Sequence, residues 1–343
     1  MHPEAGPNAG PLGRWLADER ARLARHHAEG FAAAGAADVA IIAGPPDATS
    51  FGARLRTLVR AERPAGLVVL GSGAIPLATE RDLRDLVAAA GTGERVALAN
   101  NRFSADVVAV AMAWPTLDAL PDMPSDNALP RWLANVAGYD VSDLRARWQL
   151  AVDIDGPLDL LLVGDRADAP VELRPVRAAM TAVRDVAADP AAELVVAGRT
   201  SAESVAWLER STASRTRALI EERGLRTGGA GQRPAASVLG ELIERDGPSA
   251  FGSLLARLGD AAIVDTRVLL AHRLGRDESA WPAAEDRFAS DLLLPEAVAD
   301  PWLRALTASA VEAPIPILFG GHTLVGPGLR LALGRRRGHV PWT

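Results

Sequence analysis

Three stretches in the second half of the sequence end apolar runs in residues that can do chemistry: AGRTS (Ala197–Ser201), VDTR (Val264–Arg267) and GGHT (Gly320–Thr323). If the runs are parallel neighbouring strands, Arg199, Thr200, Ser201, Asp265, Arg267 and His322 converge on one crevice at the strands' carboxyl ends. In that crevice His322 would act as general base, oriented by Asp265, and Arg199 would offer its fork to a phosphate or carboxylate. GRTSAES would add the amides and hydroxyls of a helix N-terminus. A plainer reading uses the same residues: Thr200 or Ser201 as an ordinary helix cap with Glu203 as its boxed acid, and His322 as a structural histidine.

The first half carries a different arrangement. In GLVVLGSGAIPLATERDL (Gly66–Leu83) a buried strand turns over Gly71, Ser72 and Gly73 into a helix with Thr79 as its cap. The turn is either an anion site lined by backbone amides or a tight connection that needs glycine for a positive φ. It is no dinucleotide fingerprint, because Ala74, Ile75 and Pro76 follow without a third glycine. Further on, Asp153 and Asp155 in DIDGPLDL flank Ile154 at a strand end and can cap the turn that follows.

Composition narrows the chemistry. The chain has 343 residues, 48% of them hydrophobic, and a net charge of -6. It lacks the basic excess of a nucleic-acid binder, so neither nucleic acid nor a membrane is expected as a partner, and the protein is expected to be cytoplasmic. With no cysteine there is no thiolate nucleophile, disulfide or Cys-based zinc site. All 37 basic residues are arginine, which removes Schiff-base lysines and Walker A lysines. Six histidines are scattered, and the adjacent His26 and His27 cannot easily face one ion. No haem, flavin, pyridoxal phosphate or zinc is expected, and self-association is left open.

These residues must be positioned by a frame. A Pro/Gly-rich start, residues 1–13, reads as a loose tail, followed by a helix through RWLADERARLARHHAEGF. DVAIIAG, AGLVVLGSG, RVALANN and DVVAVAMAW read as strands alternating with helices, which implies a doubly wound, mostly parallel α/β sheet. A boundary falls near GDRADAPVELRP, giving an α/β domain at 14–166 and a smaller helix-rich α/β domain at 172–334 with strands AELVVAG, AAIVDT and PIPILFGG. RTGGAGQRP reads as a loop, RALIEERGLR as a solvated helix and 335–343 as a basic tail.

Three segments of the first domain, in order, resemble the GT-A-like nucleotidyltransferases, in particular the molybdenum-cofactor guanylyltransferase and phospholactate guanylyltransferase group. GAIPLATERDL (Gly73–Leu83) resembles the family's GDxPLLTxEDL, NNRFSADVVAV its nucleotide-side strand and DIDGPLDL its closing DIDTPEDL. The resemblance implies a GT-A/Rossmann-like fold over roughly residues 15–165. It implies nucleotide contacts at Gly71, Ser72, Gly73, Asn100, Asn101 and Arg102. Mg²⁺ would be held by Asp153 and Asp155, with Asp106 as a third carboxylate; it is the one cofactor the resemblance admits. The chain departs from the family where it matters most: Ala74 stands at the metal aspartate, and the phosphate-loop lysine is missing.

Three functions follow as expectations. One is a nucleotidyltransferase-like protein that binds a nucleotide or phosphorylated metabolite, in keeping with cofactor biosynthesis. The second is a non-catalytic binding or scaffold protein. The third is a small enzyme site on an anionic substrate in the C-terminal domain.

Overall fold

The computed structural model describes residues 1–7, 9–45, 47–164, 169–225 and 233–334. The chain is α/β and divides into two units. The first comprises Met1–Ala9 and Arg14–Ile154, and the second Gly10–Gly13 and the residues from Asp155 on. The division thus precedes GDRADAPVELRP, of which 165–168 lie outside the described residues, as do 226–232 of the Gly/Ala/Arg loop and the tail at 335–343.

In the first unit, β1 (His2–Pro3) pairs in parallel with β2 (Ala43–Gly44), so the expected loose start is tied down at its second and third residues. DVAIIAG forms only this two-residue strand; Asp38–Ile41 are exposed and enter no ladder among the described residues. A four-stranded sheet follows: β3 (Gly66–Leu70), β4 (Val96–Ala99), β5 (Val107–Ala111) and β6 (Asp140–Asp143), in the order β3-β5-β4-β6. β5 runs antiparallel to both neighbours, while β4 and β6 are parallel. The expected mostly parallel sheet is therefore mixed here. The connection from β4 to β5, residues 100–106, is too short for a helical crossover, so the chain turns back as a hairpin.

β5 is buried along its whole length. Val108 and Val110 pack with Leu55, Val59, Leu117 and Leu133 on one face, and Val107 and Ala109 with Ile75, Leu83 and Leu86 on the other. Such two-sided burial accounts for its uninterrupted apolar sequence. β6, with the sequence DVSD, carries no such signal, and only Val141 among its residues is buried.

The second unit holds four parallel strands: β7 (Glu193–Gly198), β8 (Arg215–Ile220), β9 (Ala261–Asp265) and β10 (Ile317–Gly320), in the order β10-β9-β7-β8. Three of them are the expected apolar runs. The fourth, β8, takes up the first four residues, Arg217 to Ile220, of the stretch expected to be a solvated helix. Its alternating RTRALI lies at an edge with most residues exposed, and Arg217 pairs with Glu193 of β7. After β7 the chain proceeds to one side, to β8; from β9 it proceeds to the other, to β10. The strand order reverses between β7 and β9, where loops diverge in open parallel sheets.

Candidate functional site

The turn after β3 is satisfied by its own chain. Gly71 N–H donates to the Asp106 carbonyl (3.4 Å), Ser72 N–H to the Met1 carbonyl (2.9 Å) and Ala74 N–H to the Gly71 carbonyl (3.1 Å). The Met1 amino group donates to the Leu70 carbonyl (2.7 Å), and His2 Nδ1 lies 3.1 Å from Ser72 Oγ. The amides of Gly71, Ser72 and Ala74, which could have faced a phosphate, are thus bonded to the protein. The helix Glu80–Ala90 is closed in the same way. Thr79 caps it, and the Asp82 carboxylate accepts Thr79 N–H (2.8 Å) and its hydroxyl (2.6 Å), taking the position where an anion would sit.

Glycine in this turn is not needed for a positive φ. The left-handed residue is Ile75, at φ 45°, which costs energy in a β-branched residue. Gly73 is required by close approach: a Cβ there would lie 2.6 Å from the Ile154 carbonyl, 3.0 Å from Asp153 Oδ1 and 3.1 Å from Arg20 Nε. Ala74 forms an isolated antiparallel bridge with Asp153. The Asp153 carboxylate and the Arg20 guanidinium therefore approach the same point, and Arg20 also donates to the Ile154 carbonyl at 2.7 Å. Asp155 is the first residue of the second unit after the division; it is exposed, and its N–H donates to Asp159 Oδ2 (2.9 Å).

Asp106, Asn100, Asn101 and Arg102 shape the β4–β5 loop. Buried Asn100 donates to Asp106 Oδ2 and to the Leu150 carbonyl, both at 2.9 Å, and accepts Asp106 N–H at 3.0 Å. Asn101 Oδ1 accepts Phe103 N–H (3.0 Å), and Arg102 N–H approaches Asp143 Oδ2 (3.4 Å). Among the described residues, the three-residue group close enough to share a metal ion is Glu241, Glu244 and His272, without Asp106, Asp153 or Asp155. Its histidine is poorly set for a metal. His272 Nδ1 accepts the Ser237 N–H (3.2 Å), which leaves the ring proton on Nε2, 3.4 Å from Glu244.

The second unit brings its six expected residues to one edge. Asp265 ends β9 and caps the helix Thr266–Leu274 by accepting Arg267 N–H (3.1 Å). Arg199, just past β7, forks onto the same carboxylate at 2.6 and 3.1 Å. This buried ion pair spans the point where the strand order reverses. Arg267 grips Asp291 with two bonds of 2.5 and 2.6 Å, and donates to Thr266 Oγ1. His322 is exposed and opens a short helix, His322–Val325, packed against β7, β9 and β10. Ser201 caps the helix Ala202–Ser211 by accepting Ser204 N–H (3.0 Å), while Glu203 pairs with Arg330 instead of closing a box. Thr200 is fully buried, and its hydroxyl has no hydrogen-bond partner among the described residues.

Gly198 lets the two strand ends approach. It adopts φ 123°, and a Cβ there would stand 2.3 Å from that of Asp265.

Both arginine forks are filled by carboxylates of the protein, so the contact expected between Arg199 and an anionic ligand is taken internally. Burial alone would raise the Asp265 carboxyl, but the charge and hydrogen bonds of Arg199, with Arg267 and His322 beyond, hold it below the usual range. Asp291 remains raised because burial outweighs Arg267. Asp159, on the helix Pro157–Val163, is pushed up to about 7 by burial and by the charges of Asp155 and Asp291, against the two N–H groups it accepts.

Asp291 and Asp159 were missed as members of this cluster. The available signal was an aspartate within otherwise apolar sequence, as in FASDLLL and LDLLLV, where a buried charge needs a partner. Neither a protein-family model, nor a curated protein, nor a solved structure matches this chain.

Proposed function

We propose that the second unit binds a small polar molecule over the carboxyl ends of β7, β9 and β10 and moves a proton on it through His322. The carrying observation is the Arg199–Asp265 pair at the reversal of strand order, with Arg267 and His322 beside it. Ligands of open parallel sheets bind at that position. His322 is exposed there, and an imidazole can take up or give a proton. The Arg199–Asp265 and Arg267–Asp291 pairs fix the polar floor beneath it without themselves turning over. Nucleotidyl transfer in the first unit rests on the sequence resemblance. The amides bonded within its turn and the alanine at position 74 give that reading no geometric support.

The test is thermal unfolding of the full chain against nucleotides, sugar phosphates and small carboxylic acids, each with and without Mg²⁺. A ligand at 100 times its Kd adds about 2.7 kcal/mol when it binds only the folded state. The reading stands if a compound raises the midpoint and His322→Ala removes the rise. It falls if no compound acts, or if every rise survives that substitution.

A further inference from the structure

We draw no further inference here: the strongest candidate, the exposed apolar stretch at residues 38–41 that leads into β2 in the first unit, with Val39 and Ile41 36% and 41% exposed and no ladder partner among the described residues, carries nothing because nothing in the structure shows what covers it.

Discussion

Two buried titratable side chains in this chain are pushed in opposite directions. His27 is held down to about 4 by burial, with His26 adding to the effect, although it bonds to the Ile75 carbonyl. An unfolded chain takes up the histidine proton near 6.5 while the folded chain resists it, so stability is lost as pH falls from about 6.5 to 4. The full effect is about 3 kcal/mol, and His27→Phe should remove this contribution from the dependence of stability on pH that urea titrations measure across that window. Asp159 is the converse. Its folded value, about 7, lies above the ordinary 3.8 of an aspartate, so its contribution is complete below about pH 4 and is lost as pH rises to 7. Asp159→Asn keeps a carbonyl to accept the N–H groups of Asp155 and Gly156, and should unfold about 3 °C or more above wild type at pH 8 yet close to it at pH 4. An unchanged difference between the two pH values would refute the assignment.

At the scale of elements, the ends of β7 and β9 are joined by a clamp whose parts are not independent. Arg199→Met leaves Asp265 charged and buried with its main partner gone, which should cost about 3–5 kcal/mol. Arg199→Met combined with Asp265→Leu removes both charges, and should cost clearly less than the sum of the two single changes in a double-mutant cycle. Gly198→Ala attacks the same junction through the backbone, since φ 123° and a 2.3 Å approach to the Asp265 Cβ leave no place for a methyl group. A loss of about 3 kcal/mol or more is expected by chemical denaturation.

Much of this junction was legible in the sequence. AELVVAG, AAIVDT and PIPILFGG are uninterrupted apolar runs, each ending in polar or glycine residues, and continuous burial makes such strands readable. β8 was not legible, because an edge strand with charged alternate residues looks like a solvated surface helix over so short a span. In the first unit the antiparallel β5 was misread for a different reason. Strand character is local, whereas direction depends on the length of the connection before it. The roles of Asp106 and Asn100 escaped notice because they bond to each other across a loop, and no spacing marks that.

For the molecule as a whole, His27 lies in the first unit and Asp159 in the second, and their proton linkages have opposite signs over one range of pH. Between about pH 4 and 6.5 the first unit gains stability as pH rises, whereas the second loses it. If the whole chain unfolds in one step, the two terms offset one another and the overall midpoint should change little across that window. Each substitution then exposes the other residue's term. His27→Phe should leave a midpoint that falls as pH rises, and Asp159→Asn one that climbs. Hydrogen exchange, corrected for the intrinsic rate at each pH, resolves the same balance within the wild-type chain. If the units open separately, protection of β5 should rise with pH while that of β9 falls; if they open only together, both should stay level. Parallel slopes of one sign in β5 and β9, retained in both variants, would mean that neither residue carries the linkage.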